Sequence, residues 1–322
     1  MDLLTQSQED VLSDVLQSIH LHSTLYCRAH LGAPWGIGIP RREEVATFHV
    51  VLEGSCWLTV EGVDQLVSLR AGDLIILPHG QAHRVTDQPT TPATAFEDFM
   101  LQNPPDTHGL VYAGGQGAVS TLVCGGFQLE GYQTNPVYRL LPVSLHASSQ
   151  QRQADSWIRA IVTLVGAEAN GHQPGAETVI TRLSEILFIQ ALREYLRTAG
   201  DGEVGWLTAL RDPQIGQALA LIHRQPEQSW TVDTLAQRVG LSRSALSAKF
   251  TRLVGIAPLH YLADVRLTKA AALLRTQSVT LIEVARSVGY GSEVAMSKAF
   301  KRRFGMAPGA YRRGRDPMGV TS

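Results

Sequence analysis

The stretch Thr231–Tyr261, TVDTLAQRVGLSRSALSAKFTRLVGIAPLHY, recurs in altered form as Thr280–Tyr311, TLIEVARSVGYGSEVAMSKAFKRRFGMAPGAY. Ala236 matches Ala285 and Gly240 matches Gly289. After one extra residue near Gly291, Phe250 matches Phe300, Gly255 matches Gly305, Pro258 matches Pro308 and Tyr261 matches Tyr311. The insertion falls in a turn, where it disturbs packing least. Each version reads as helix, tight turn, helix. Leu235, Ala236 and Val239 share one helical face. Gly240 then supplies the left-handed backbone that ends a helix. Ser242 is placed to cap the next helix, whose inward stripe is Leu246, Phe250 and Leu253. Val284, Ala285, Val288, Gly289, Ser292, Met296 and Phe300 take the same parts in the second version. Small residues at Ala236 and Ala285 let the paired helices cross closely. Between the versions, the Ala- and Leu-rich stretch Leu259–Thr276 reads as one helix that spaces them.

The charge follows the same division. From Ile215 to Arg315 there are 16 Lys and Arg against 5 Asp and Glu, whereas residues 1–214 hold 12 against 23. A net charge of −1 thus conceals a basic C-terminal segment suited to a polyanion and an acidic remainder that is not. No apolar run is long enough to span a membrane. The N-terminus lacks the basic start and apolar stretch of a secretory signal, and three cysteines make a disulfide framework improbable. The expected location is cytoplasmic.

The residues Val284-Ala285, Gly289-Tyr290, Ser292, Phe300-Lys301, Phe304-Gly305, Pro308 and Tyr311-Arg312 resemble the signature of the AraC/XylS transcription regulators. The resemblance covers Ile215–Arg313 and implies two helix-turn-helix units whose second helices enter successive major grooves of double-stranded DNA. Helix phase then selects the residues that face bases: Arg243, Ser244, Ser247 and Ala248 in the first unit, and Glu293, Val294, Ser297 and Lys298 in the second. Lys249, Arg252, Lys301, Arg302 and Arg303 are the candidate phosphate partners. The small side chains of the first set depart from the bulkier ones common in the family. They imply weaker direct readout there, with more left to phosphate contacts and DNA shape.

Residues 35–130 read as β-rich, with short apolar runs divided by Gly, Pro and Asp. Phe48–Leu52 and Trp57–Val60 flank a Glu53-Gly54 turn, and Leu66–Leu69 and Leu74–Leu77 flank Ala71-Gly72-Asp73. Gly72, Pro78, Gly80 and His83 resemble the second cupin motif, and Thr47-Phe48-His49 a degraded first one. His49 has the strand phase of an inward residue, alternating with Thr47 and Val51. The resemblance implies a cupin-like sensor barrel in which His49, His83 and Cys124 are candidate ligands for zinc, iron or an effector. Cys56 reads as core and His79 as a solvated turn residue. Cys27 and Cys124 are the candidate redox thiols, although their spacing says nothing about a bridge.

Two amphipathic helices are expected at Ser156–Glu168 and Thr178–Arg197, separated by a loop at Asn170–Gly175. The second has an apolar face wide enough to cover the barrel and meet another subunit. Ala199–Glu203 is the expected linker. The expected organisation is therefore α+β: a cupin-like effector domain with accessory helices over 1–150, a helical dimerisation and linker region over 151–214, and an all-α tandem helix-turn-helix domain over 215–315. The expected function is an effector-responsive regulator, an activator by family resemblance. Its expected partners are DNA, a small-molecule or redox effector, a second copy of the chain and RNA polymerase. The alternative is a metal-dependent cupin enzyme fused to a DNA-binding module. No phosphate loop, nucleophile elbow or supported carboxylate pair argues for other catalysis.

Overall fold

The computed structural model describes residues 12–13, 21–43, 45–64, 66–107, 109–129, 138, 140–148, 155–171, 173–198, 206–276 and 279–314. The expected linker Ala199–Glu203 and nearly all of the acidic N-terminal stretch lie outside them. The chain divides into two compact units. One comprises residues 21–130 and 142–199, and the other includes the described residues of 200–322.

The first unit is built of eleven described strands: β1 (Leu21–Gly32), β2 (Gly36–Ile39), β3 (Val45–Glu53), β4 (Ser55–Val60), β5 (Leu66–Arg70), β6 (Leu74–Leu77), β7 (His83–Thr86), β8 (Thr94–Ala95), β9 (Leu110–Gly114), β10 (Val119–Leu129) and β11 (Leu145–Ala147). They form a six-stranded sheet in the order β11-β6-β3-β10-β1-β9 and a five-stranded sheet in the order β5-β4-β7-β2-β8. Side chains from both sheets fill one core. Ala29, Leu31, Val51, Ile75, Leu77 and Leu122 of the larger sheet meet Ile37, Cys56, Leu58, Val60, Leu69 and Val85 of the smaller. Cys56 is core, as its strand position implied. His79 is half-buried rather than fully solvated.

Three features escape the sequence pattern. β1 begins well before residue 35, and from Cys27 to Leu31 its residues alternate between the core and the outer face without a simple apolar run. β10 continues past Cys124 through Gly125-Gly126, because a central strand laddered on both sides tolerates glycines that would end an exposed one. The short helix α1 (Phe96–Gln102) also lies within the region read as strands. Gly80, by contrast, has a plain reason to be glycine. Its φ is +57°, and a Cβ there would lie 1.9 Å from the Arg42 carbonyl oxygen.

Two longer helices complete this unit, α2 (Asp155–Gly171) and α3 (Ala176–Thr198). α2 runs past the expected Glu168, taking in Asn170 and Gly171. α3 buries Ile180, Leu187, Phe188, Ala191 and Leu192, and it packs on β1, β6 and β11. Phe48 stacks near Phe127 at 4.9 Å, and Phe127 near Phe188 at 5.2 Å. β3 is therefore covered on both faces, which is why six successive residues from Ala46 to Val51 are buried.

The second unit is helical: α4 (Trp206–Ala209), α5 (Pro213–Arg224), α6 (Val232–Arg238), α7 (Arg243–Val254), α8 (Pro258–Thr276), α9 (Leu281–Ser287), α10 (Glu293–Phe304) and α11 (Pro308–Arg312). The sequence repeat is realised as two helix-turn-helix units, α6–α7 and α9–α10. Thr231 and Thr280 open them with capping boxes, to Thr234 and Glu283. Ser242 and Ser292 cap the second helices by accepting from the N–H groups of Ala245 and Ala295, at 3.2 and 3.1 Å. Gly255 and Gly305 end them with φ of +86° and +71°. Tyr261 and Tyr311 then pack on Phe250 and Phe300. The inward stripe of α7 ends on Val254 rather than Leu253, which is half-buried.

Candidate nucleic-acid interface and sensor interior

The turns hold α7 and α10 so that their apolar stripes face inward. On α7, Arg243, Ser244 and Ala248 are exposed and Ser247 is half-buried. On α10, Glu293, Val294 and Lys298 are exposed and Ser297 is half-buried. The two expected reading faces are thus surfaces of the second unit. Val294, at 62% exposed, is an apolar side chain held in solvent beside charged neighbours. Arg243 pairs with Asp233 at 3.3 Å, but both side chains are largely exposed, so the pair is weak and easily exchanged.

The five candidate phosphate cations separate into two groups. Arg252, Lys301 and Arg302 are exposed. Lys249 instead bridges Asp212 and Gln214, at 2.8 Å from each. Asp212 caps α5, accepting from the N–H groups of Gln214 and Ile215 at 3.1 and 3.0 Å. Burial pushes the Asp212 carboxyl up, but the Lys249 ammonium and the two N–H groups outweigh it and hold the pKa below the ordinary value. Arg303 pairs with the buried Asp264 of α8 at 2.9 Å. These two cations are committed to internal anions that helix phase alone did not reveal. Asp212-Pro213 is itself a legible helix start, but its link to Lys249, 37 residues on, is tertiary.

A brace links the loop before the first helix-turn-helix unit to the turn of the second. Arg266 of α8 donates to the carbonyls of Pro226 and Gln228, both at 2.6 Å. Its guanidinium also lies 5.9 Å from the Tyr290 ring. Gly289 stands beside this contact with φ +83°, and a Cβ there would lie 2.6 Å from the Glu227 carbonyl oxygen.

In the first unit, the three candidate ligand residues do come together. β3, β7 and β10 place His49 Nε2 2.8 Å from His83 Nε2 and His49 Nδ1 3.0 Å from Cys124 Sγ. His83 Nδ1 lies 2.7 Å from the Gln81 carbonyl oxygen, to which it can only donate. The His83 Nε2 is then a bare acceptor in the neutral ring, so His49 donates through Nε2, and its Nδ1 accepts from the Cys124 thiol. Burial drives His49 well below its ordinary pKa, with His83 adding to the effect, and burial takes His83 down to about 4. Both rings are therefore neutral. Because His49 spends its two nitrogens on different neighbours, the three residues form a chain rather than a set converging on one point. Among the described residues, no group of three or more His, Cys, Asp or Glu is arranged to hold a metal.

Cys27 faces Cys124 directly across the β1–β10 ladder. The contact with Cys124 lowers the Cys27 pKa, and the same contact raises that of Cys124, with burial adding to it. Burial, with Asp73 nearby, pushes Cys56 up to about 12.

A strand-rich N-terminal unit joined in sequence to two helix-turn-helix units defines a DNA-binding regulator with a separate strand-rich domain. Comparison with known proteins agrees. A Cupin family model matches residues 10–197, and a Helix-turn-helix domain model matches residues 235–314. A Putative AraC-like transcription regulator of Streptomyces lividans is 36% identical over 307 residues, covering 94% of this chain and 98% of that protein. The HTH-type transcriptional regulator AlkR of Acinetobacter baylyi is 31% identical over 317 residues, covering 94% and 99%. The C-terminal domain of AraT, a response regulator from Geobacillus stearothermophilus, is 31% identical, covers 34% of this chain and 93% of that domain, and has a TM-score of 0.32. The chain belongs to the AraC family and is a DNA-binding transcription regulator. The enzyme alternative finds no support in these relatives.

Proposed function

We propose that this protein is a sequence-specific, effector-responsive activator, cytoplasmic and without catalytic activity, and that it acts as a homodimer. The observation that carries the proposal is the pair of exposed reading faces on α7 and α10, set on a basic unit and braced through Arg266. Glu293, Val294, Ser297 and Lys298 read bases, with a smaller share from Arg243, Ser244, Ser247 and Ala248. Arg252, Lys301 and Arg302 hold phosphates. An effector acts by binding two arrangements of the protein with different affinity. Activation implies a contact with RNA polymerase. Dimerisation has support from Val179 and Ile186 on α3 and Leu164 on α2, which are exposed apolar residues. No helix among the described residues is long and apolar enough to cross a membrane.

The test is binding of the full-length protein to operator variants, with wild type and Lys298→Ala. A base-reading Lys298 loses discrimination at one or two base positions. An equal fall in affinity on every sequence would count against that role.

A redox effector is a second reading, favoured by the register of Cys27 and Cys124. Hydrogen peroxide would take two electrons from the two thiols, forming one S–S bond and leaving as two waters. Peptide mapping after peroxide treatment detects the bridge; two free thiols after treatment would remove this reading.

A further inference from the structure

The space between the two sheets is filled with side chains, but the larger sheet bears a cavity on its opposite face. Cys27, Ala29 and Leu31 of β1 point into the core. Arg28 and His30 alternate with them and point outward. They line a cavity of about 390 Å³ together with Glu53, Thr121 and, from α2, Thr163 and Gly166. That volume has room for on the order of a dozen non-hydrogen atoms.

The polar groups in this cavity fall into two sets. Arg28 is only 8% exposed. Loss of solvent pulls its pKa below the usual arginine value, although Asp106 and Tyr112 lie close enough to favour its charge. Arg28 lines the cavity, where a carboxylate can add to the groups that already favour its charge. The other set consists of acceptors. His30 Nδ1 lies 3.2 Å from Thr121 Oγ1, and Thr121 Oγ1 donates to Glu53 Oε2 at 3.5 Å. With its one proton directed to Glu53, the Thr121 oxygen accepts from His30 Nδ1, and in that tautomer Nε2 is the acceptor. Glu53 and His30 together therefore call for a donor. Gly166 keeps the helical wall recessed. A Cβ there would meet only Leu52 Cδ1, at 3.8 Å, so the glycine is not required by packing and leaves open space within the cavity.

We infer that this cavity binds a small carboxylic acid that also carries a hydroxyl or ammonium group, with the carboxylate on Arg28 and the donor toward Glu53 and His30. The inference rests on the effector-responsive reading above and names the chemical class of the effector. It places the effector between the sheet and α2, away from the His49–His83–Cys124 chain.

The experiment is calorimetric titration of the full-length protein with glycolate, L-lactate, L-malate and L-glutamate, and with the corresponding amides as uncharged controls. At least one acid is expected to bind, with its amide about tenfold weaker or worse. Arg28→Gln should weaken binding by a similar factor, and Arg28→Lys should retain part of it. Gly166→Met fills the cavity, and it should abolish binding without lowering the melting temperature, since helix propensity rises at that position. Absence of binding by all four acids at millimolar concentration overturns the inference. So does equal binding by wild type and both Arg28→Gln and Gly166→Met. Operator affinity is measured separately with and without the bound acid. Binding that leaves it unchanged would keep the site and remove the effector-responsive reading.

Discussion

The residues of the proposed reading faces differ in what they can recognise. Val294 offers no hydrogen bond, so the base feature that matches it is the thymine methyl in the major groove. Replacing thymine by uracil, one operator position at a time, should reveal one position at which wild-type affinity falls and Val294→Ala affinity does not. Two variants that both fall, or neither, would leave Val294 without this role. The cations divide equally sharply. Arg252→Ala, Lys301→Ala and Arg302→Ala should each reduce the slope of log affinity against log salt by about 1. Lys249→Ala should leave the slope unchanged and instead cost about 1 kcal/mol of stability, through the partly exposed Asp212 pair. His83 supplies a pH signature. Its folded pKa of about 4 lies below the ordinary 6.5, so between those values the unfolded chain binds more protons than the folded one. Stability therefore falls as pH drops from about 6.5 to about 4, by about 3 kcal/mol for this residue, and the loss is complete below that range. Urea midpoints at pH 7 and pH 4.5 should differ less for His83→Gln than for wild type.

Among the elements, the two helix-turn-helix units share caps and turns but not surroundings. Gly240 and Gly289 have φ of +68° and +83°. Nothing lies within 4 Å of a Cβ built on Gly240, whereas one on Gly289 meets the Glu227 backbone and the Arg266 guanidinium. Gly240→Ala should therefore cost about 1 kcal/mol, the left-handed strain alone. Gly289→Ala should cost more, about 2 kcal/mol or above, and should also disturb the brace to the loop before α6. Thermal unfolding of the two variants side by side checks the order. The repeat was legible from matched residues, and the caps from Ser242 and Ser292. That Gly289 is doubly constrained was not legible, because its neighbours Glu227 and Arg266 come from elsewhere in the chain.

For the whole molecule, dimerisation and DNA geometry are the open quantities. Sedimentation of the full-length protein should show a dimer that Ile186→Glu weakens, because Ile186 is exposed on α3 while the opposite face of that helix is buried. A monomer at micromolar concentration would remove the homodimer. Hydroxyl-radical footprints should show two protected patches about one helical turn apart on one face of the DNA.

The amino-acid sequence by itself determined the repeat, the helix ends, the basic segment and the β-rich half. Each of these is written in residues close together in the chain, through periodicity, capping and turn chemistry. The tertiary structure decided how the side chains are spent. Lys249 and Arg303 sit in phase with the proposed phosphate-facing residues but are taken up by Asp212 and Asp264. His49, His83 and Cys124 meet, and a ring with two nitrogens aimed at two neighbours links them in a chain. Arg28 and His30 carried no motif at all, and only strand pairing and the placement of α2 bring them to one cavity. Pairing of distant charges and the walls of a cavity depend on contacts that local sequence pattern does not encode. For the same reason the two tandem units, alike in sequence, come to rest in different surroundings.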